Sequence, residues 1–369
     1  GLITGQFPAR WKITSYLQTR EGNRQCEQVD FLDPRAPTLP RILHKAGYAT
    51  AHIGKWHLGG GRDVVDAPRF AAYGWDLGLG TYESPEPAAA LGIHSTPWAR
   101  DREPQQVARH DRTRWMIDQT IQFIQTHSQQ PCFVNLWLDD PHTPWVPDEA
   151  AAVKTDRDKL KAVLEENDRQ IGRLLDGVPA NTLIFYASDN GPLPNWEQTR
   201  SLGLRGSKLS LYEGGIRLPL VARWPGLVPT GRVDDTTVIT AVDILPTLAR
   251  IAQAELPPDY AGDGQDLSDA ILRQPVVRSK PIFWEYGRND QSFVYPKGKH
   301  RSPNVAMRDG PWKLLIDADG SDLELYDVVA DPNEEHEVAA AHPEIAARMK
   351  EQALSWRKSL PAGPVASSP

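Results

Sequence analysis

The sequence predicts an α/β fold in which a mostly parallel sheet is flanked by helices, with a smaller C-terminal unit made of an antiparallel sheet and one helix. Two observations support this. Up to about residue 275, helical segments alternate with short apolar runs, as in a parallel sheet covered on both faces. After that point, short strands follow one another with turn residues between them. We therefore predict two domains, 1–275 and 276–369, in a chain longer than one average domain.

The elements of the first domain are predicted from caps and apolar spacing. Thr38 fits the N-cap of a short helix, and Gly47 fits the left-handed residue that stops it. Apolar residues recur at helical spacing in two longer segments. In chain order we expect a helix at 38–47, a strand at 48–53, a helix at 109–127, a strand at 131–138, a helix at 154–176 and a strand at 182–187. Ligands of such sheets bind beyond the carboxyl ends of the strands.

The second domain contains a clear hairpin signal at Asp309-Gly310. We expect strands at 281–285, 304–308, 312–316 and 323–326, and a final helix at 343–360. The proline-rich stretch 84–104 reads as a surface insertion, and 361–369 as a loose tail.

Composition excludes several classes of function. A formal net charge of -7 argues against nucleic acid as the main partner, because phosphate binding needs a basic field. No apolar run approaches 18 residues, so we predict no membrane span. The two cysteines, Cys26 and Cys132, cannot form a disulfide framework and are expected to be separate thiols. The oligomeric state is not readable from the sequence.

The segment GKWHLG at 54–59 follows the predicted strand at 48–53. In an extended chain, Lys55 and His57 lie on the same side, so a positive charge and a titratable imidazole would face one pocket. The alternative is a surface lysine and a half-buried histidine in a glycine-rich turn.

The segment DPHTPW at 140–145 follows the next strand. Its two prolines stiffen the loop that holds His142, as suits a positioned catalytic group. The alternative is an ordinary turn residue.

The most informative segment is SDNG at 188–191, followed by GSK at 206–208. Asp189 and Asn190 are costly in a core but suit Ca²⁺ or Mg²⁺, which prefer oxygen ligands. Lys208 would hold an oxyanion beside that cation. The alternatives are a turn before Gly191 and Pro192, and a solvated lysine.

Two further groups of residues are not assigned to the predicted site. Glu213 and Arg217 suggest packing and an ion pair. Among twelve tryptophans, four could stack on sugar rings, although most tryptophans belong to cores. The four are Trp98, Trp145, Trp196 and Trp284, whereas Trp137, inside a strand, is expected in the core.

Taken together, these motifs resemble the type I sulfatases of the alkaline phosphatase superfamily. The order and spacing match over GKWHLG, DPHTPW, SDNG and GSK, then LYEGGIRLP at 211–219, VDILPT at 242–247 and the later LYD at 325–327. The resemblance extends from Gly1 to about Ala340, and it implies an alkaline phosphatase-like fold.

The resemblance also implies the reaction. Such enzymes hydrolyse a sulfate monoester with a formylglycine made from cysteine or serine, and a Ca²⁺ ion holds the sulfate oxygens. It implies Asp189 and Asn190 as metal ligands, and Lys55 and Lys208 as contacts of the sulfate or the nucleophile. By the same likeness His57 resembles the base that collapses the sulfated intermediate, and His142 the group that assists the leaving oxygen.

The chain also departs from the family pattern. LITGQFPAR at 2–10 resembles the helix that follows the motif C/S-x-P-S-R, so that motif should lie about six residues upstream of Gly1. Neither Cys26 nor Cys132 has the matching proline and arginine. We interpret the chain as incomplete at its N-terminus, without the formylglycine precursor and the paired metal-binding aspartates, and expect it to be inactive or nearly so.

The overall prediction is a sulfuric ester hydrolase acting on a sulfated carbohydrate or aryl sulfate. Family members are commonly exported, which implies a periplasmic or secreted location. Two alternatives remain open: a phosphoesterase or phosphonate hydrolase of the same superfamily, and a protein that binds sulfated glycans without hydrolysing them.

Overall fold

The computed structural model describes residues 1–59, 63–64, 66–81, 107–148, 153–293 and 296–361. Its first part contains α1 (Arg20–Gln25), α2 (Leu39–Lys45), β1 (Ala49–Lys55), β2 (Leu77–Thr81), α3 (Arg112–Thr126), β3 (Cys132–Trp137), α4 (Asp156–Gly177), β4 (Ile184–Ala187), α5 (Glu213–Ile216), β5 (Leu220–Arg223), α6 (Ile244–Ile251) and α7 (Ser268–Leu272). The second contains β6 (Ile282–Glu285), β7 (Val305–Asp309), β8 (Trp312–Ile316), β9 (Glu324–Asp327) and α8 (Pro343–Ser359).

A three-stranded parallel sheet in the order β2-β1-β3 carries the site. Ala51 of β1 is opposite Leu77 of β2 on one side and Val134 of β3 on the other. Ala51 and Ile53 are fully buried, and α2 and α3 pack against the central strand. The parallel sheet flanked by helices confirms the predicted fold class.

The strand β4 differs from the prediction. It pairs antiparallel with β5, and among the described residues it does not join the three-stranded sheet. The connections do not select the partner, because both the 22-residue α4 before β4 and the segment 188–219 after it are long enough for a parallel crossover. Tyr186 is 50% exposed, so the expected burial of this strand is wrong as well.

The C-terminal sheet, in the order β6-β7-β8-β9, is antiparallel throughout, as predicted. Asp309 pairs with Trp312 across a two-residue hairpin, and Gly310 has a φ of 58°. Helix α8 packs on the sheet, and their core also takes in Phe7 and Val242 from the first part of the chain. The boundary near residue 275 stays a prediction.

One local expectation is confirmed in position, and another is wrong. Thr38 occupies the N-cap of α2, but its hydroxyl donates to the Tyr73 carbonyl at 2.6 Å and does not cap the helix. The opening residues form turns and a short 3-10 helix at Pro8–Trp11 where the resemblance implied a helix. Asp263 organises this segment, because its carboxylate accepts from the Phe7 amide at 2.7 Å and pairs with Arg10. A helix would leave that carboxylate without these partners.

Among the helices of the described ranges, none has the length and apolar character needed to cross a membrane. The proline-rich stretch at 84–104 and the tail after residue 361 lie outside these ranges. Cys26 and Cys132 are free thiols, as expected.

Candidate active site

Four of the six predicted site residues come together at the carboxyl ends of the strands. Lys208 Nζ lies 3.2 Å from His142 Nε2. Lys55, at the end of β1, and Asp189, just after β4, are close enough to act electrostatically on both of these side chains. The tertiary structure therefore joins motifs that lie far apart in the sequence.

The histidine of this cluster is held neutral. Burial, followed by the charges of Lys208 and Lys55, lowers the pKa of His142 to about 4, although Asp189 and the Thr143 carbonyl oppose the shift. Its Nδ1 lies 2.7 Å from the Thr143 carbonyl oxygen, which requires a proton on Nδ1. Nε2 is then free to accept from the Lys208 ammonium. Burial and Lys55 likewise lower the pKa of Lys208.

A buried ion pair anchors the start of the loop that carries His142. Asp139 is 4% exposed and accepts from Arg112 of α3 at 3.0 Å and from the Thr81 hydroxyl at 2.6 Å. The His142 amide donates to the Asp139 carbonyl at 2.9 Å, which closes a turn. The loop is therefore tied to both β2 and α3.

A second buried pair supports the same loop. Arg109 lies 2.6 Å from Asp140, and it also donates to the His142 carbonyl at 3.3 Å. The Thr113 hydroxyl donates to the other oxygen of Asp140 at 2.7 Å. Our sequence analysis missed both arginines. The available signal was two adjacent aspartates at a strand end and two arginines one helical turn apart.

Close backbone contacts bring the Asp189 segment to the Lys208 segment. The Gly191 amide donates to the Gly215 carbonyl, and the Lys208 amide to the Pro192 carbonyl, both at 2.8 Å. A Cβ on Gly191 would lie 2.0 Å from the Gly214 carbonyl oxygen, and one on Gly215 would lie 2.1 Å from that of Ser210. The glycines are needed because no side chain fits between these segments.

The side chain of His57 does not lie on the same side as Lys55, contrary to the prediction. The chain leaves the extended conformation here, with a φ of 43°, so the alternation that would place His57 beside Lys55 does not apply. Its Nε2 lies 3.0 Å from the Leu17 carbonyl oxygen, and its ring lies near Tyr16. Its catalytic role stays a prediction.

The C-terminal sheet holds the segment that follows Lys208. Lys313 of β8 is fully buried and lies 2.8 Å from both Glu213 and Glu334. Arg217 is a weaker partner of Glu213, at 3.6 Å. Burial raises the pKa of Glu334. The pKa of Glu213 falls despite its burial, because Lys313 favours the charged form.

The tryptophans are mostly structural, as expected. Trp284 packs on the C-terminal core, and Trp137 packs in an aromatic cluster behind β1. Trp145 and Trp196 instead stack on each other beside the His142 loop, with centroids 5.5 Å apart. Trp98 lies outside the described residues.

Comparison with protein families gives a match to the sulfatase model over residues 2–254. The chain belongs to the sulfatase family. A model for the C-terminal part of N-sulphoglucosamine sulphohydrolase also matches residues 207–359 of this sulfatase chain. The predicted family and class of enzyme, a sulfuric ester hydrolase, are thereby confirmed.

Individual relatives agree with this assignment. The sulfatase chain is 26% identical to an N-acetylgalactosamine-6-O-sulfatase from Bacteroides thetaiotaomicron, over 95% of this chain and 81% of the relative. It is 27% identical to arylsulfatase G from Rattus norvegicus, over 76% of this chain. It spans 60% of the length of that mammalian relative.

Solved structures support the fold. One from Bacteroides thetaiotaomicron, described in connection with glycosaminoglycan metabolism, aligns with a TM-score of 0.74 at 23% identity, over 97% of this chain and 88% of the other. A phosphonate monoester hydrolase from Silicibacter pomeroyi aligns with a TM-score of 0.62 at 20% identity, over 97% and 84%. At these identities the likeness concerns the fold alone.

Sulfatases generally use Ca²⁺ and a formylglycine. The side-chain oxygen atoms near Lys208 fit part of a calcium site. Asp189 is exposed, and Asn190 uses its amide Nδ2 to donate to the Gly191 carbonyl, so its Oδ1 remains able to accept. Ca²⁺ takes six to eight oxygen ligands. Within the described ranges no three acidic, histidine or cysteine side chains gather into such a site. The residues present therefore do not make a complete cage.

Neither cysteine of this sulfatase chain belongs to the cluster. Cys132 begins β3, whereas His142 follows its other end, and a six-residue strand is roughly 16 Å long. Cys26 is 1% exposed, ends α1 and accepts from the Gln18 amide at 3.3 Å. That neither cysteine serves as the formylglycine precursor stays a prediction.

Proposed function

We propose that this chain binds the sulfate group of a sulfated carbohydrate between Lys55, His142 and Lys208, as the substrate site of sulfate monoester hydrolysis. The observation that carries the proposal is the convergence of two lysines on one neutral histidine. Among the described residues, Asp189 is the carboxylate that acts electrostatically on both His142 and Lys208, and it balances one of the two positive charges. A bound anionic group with several oxygen atoms would neutralise the remaining positive charge.

Each residue has a distinct task in this proposal. Lys55 and Lys208 counter the charge on the sulfate oxygens, which grows during transfer of the sulfuryl group. His142 faces the same space with Nε2. A bound anion would offset the lysine charges that lower its pKa, so His142 would gain a proton that it can pass to the departing oxygen. His57 is proposed as the second base, on the family resemblance alone.

Asp189 and Asn190 are proposed as two ligands of a Ca²⁺ ion, with Mg²⁺ as the alternative. When bound, such an ion would withdraw charge from the sulfate oxygens. Two ligands alone give a weak site, so we expect the described residues to bind Ca²⁺ poorly without further oxygen donors.

The substrate class follows from the named relatives. One is an N-acetylgalactosamine-6-O-sulfatase, which favours a sulfated amino sugar as the substrate here. Location outside the cytoplasm, in the periplasm or secreted, is proposed on the family resemblance.

A second candidate function is binding of sulfated glycans without hydrolysis. It is favoured by the charges of the site, because Lys55 and Lys208 beside a neutral His142 can hold an anion without taking part in bond cleavage. The phosphonate hydrolase alternative rests on similarity of fold and has no separate support in the site.

The test uses residues 1–369 with excess Ca²⁺. Binding of N-acetylgalactosamine-6-sulfate is measured by calorimetry, and turnover with 4-nitrophenyl sulfate and 4-nitrophenyl phosphate. We expect sulfate-dependent binding that Lys208→Ala abolishes, whereas the exposed Lys299→Ala control retains it. Turnover of 4-nitrophenyl sulfate by this chain would exclude the second candidate. Preference for the phosphate ester would favour the phosphoesterase, and absence of any binding would refute the proposed site.

A further inference from the structure

The stacked pair Trp145 and Trp196 forms a wall beside the proposed sulfate site. Trp145 is the inner ring, 8% exposed, and its Nε1 donates to the Pro141 carbonyl at 3.0 Å. Trp196 begins a 3-10 helix four residues after Pro192, whose carbonyl accepts from the Lys208 amide. The pair therefore joins the His142 loop to the segment that positions Lys208.

Two guanidinium groups lie over these rings. Arg157 lies 5.3 Å from the centroid of Trp196, and Arg200 lies 5.7 Å from that of Trp145 and 6.0 Å from that of Trp196. Over the described part of the chain, no carboxylate lies within ion-pair distance of either arginine. Arg200 is half-buried, and burial is the cause that lowers its pKa. Two positive charges are therefore not neutralised beside an aromatic wall.

An open groove of about 560 Å³ begins at this wall. Its lining is mostly apolar, with Leu160 and Leu164 between the charged residues of α4. The volume lies within the ordinary range of small-ligand sites. The groove is lined by Arg157, Leu160, Lys161, Leu164, Glu165, Asp168 and Trp196.

The charges of the groove favour an anion near the wall. Lys161 is paired with Glu165, so these two cancel, and Asp168 is the remaining acid. Arg157 balances Asp168 within the lining, and the excess positive charge comes from Arg200, which lies over both rings of the wall and is not itself a lining residue. Aromatic and aliphatic surface suits the C–H face of a sugar ring, and guanidinium groups suit a carboxylate or a sulfate.

We propose that the groove beside Trp196 binds the sugar next to the sulfated one in an anionic glycan, with Arg157 and Arg200 holding a uronate or a second sulfate on that sugar. This inference rests on the proposed function and adds a specificity site to it. It implies that the chain distinguishes an oligosaccharide from a single sulfated sugar.

The test compares two probes by calorimetry: N-acetylgalactosamine-6-sulfate and a chondroitin 6-sulfate tetrasaccharide, in which uronates flank the sulfated sugar. We expect the tetrasaccharide to bind at least about 10-fold more tightly. Arg200→Gln and Arg157→Gln should each remove most of that gain and leave monosaccharide binding unchanged. Arg169→Gln, on the same helix but outside the groove lining, is the matched control.

The readouts separate this inference from the proposed function. Equal affinity for the two probes, or equal losses for both probes in the arginine variants, would overturn the groove assignment while leaving the sulfate site standing. If neither probe bound, the groove assignment and the proposed sulfate site would both be overturned. Because Trp196→Ala removes the ring that covers Trp145 and disturbs the packing of the region, the exposed Arg157 provides the decisive variant.

Discussion

Lys208 and His142, 66 residues apart in the chain, are joined by a contact of 3.2 Å between Nζ and Nε2. The contact requires a neutral histidine, because an imidazolium cannot accept from an ammonium. It makes the protonation of His142 depend on the charge of Lys208, and five measurements follow from this and the surrounding packing.

Replacing Lys208 by Gln should raise the pKa of His142 from about 4 towards its ordinary value near 6.5, because one of the positive charges that lower it is removed. The measurement is an NMR titration of the histidine ring. Lys299→Gln is the control, since Lys299 lowers the pKa of His300. A His142 pKa that remains near 4 in Lys208→Gln would contradict the coupling.

The same shift has a consequence for stability. The unfolded chain binds a proton at His142 below about pH 6.5, whereas the folded chain resists it until about pH 4, so this residue makes stability fall as the pH falls through that window. Lys208→Gln should flatten this dependence between pH 6.5 and 4. Urea unfolding at several pH values measures it. An unchanged slope would show that the charge of Lys208 does not set this dependence.

Replacing Arg112 by Ala should destabilise the fold by about 3–5 kcal/mol, because it leaves the buried Asp139 without its charge partner. Arg114→Ala, on the same helix, breaks the exposed pair with Asp111 and should cost less than about 1 kcal/mol. Urea denaturation of both variants gives the comparison. Similar losses in the two would mean that the Arg112 pair is not the anchor of the His142 loop.

Gly191→Ala should destabilise by about 1–3 kcal/mol and weaken sulfate binding, because the new methyl group would press on the Gly214 carbonyl. Gly172→Ala, within α4, meets no atom within 4 Å. That control should be stabilising by about 0.5–1 kcal/mol. If Gly191→Ala bound sulfate as tightly as the parent chain, the close approach of the two segments would not matter for the site.

Lys313→Met should cost about 3 kcal/mol or more, because the buried Glu334 would lose its cation and the buried Glu213 would keep only the weaker Arg217 pair. The exposed Lys299→Met provides a control for loss of charge alone. Thermal unfolding measures both. A small loss in Lys313→Met would mean that the C-terminal sheet contributes little to holding the segment after Lys208.

Local patterns in the sequence were sufficient for much of the fold. Period-2 and helical spacing placed β1, β3 and the C-terminal strands within a few residues of their observed bounds. They could not determine the partner of β4, because pairing depends on the direction in which the chain returns.

The sequence by itself determined the family, the residue types of the site and the edge of the sheet where they would lie, because these depend on short motifs and on the polarity of parallel strands. Only the tertiary structure decided which of those residues meet. It brought Lys55, His142, Lys208 and Asp189 together, turned the chain at His57, and supplied Arg109, Arg112 and Lys313 as buried supports. These contacts depend on burial and on ion pairs between residues far apart in the chain, and local sequence patterns do not reveal either.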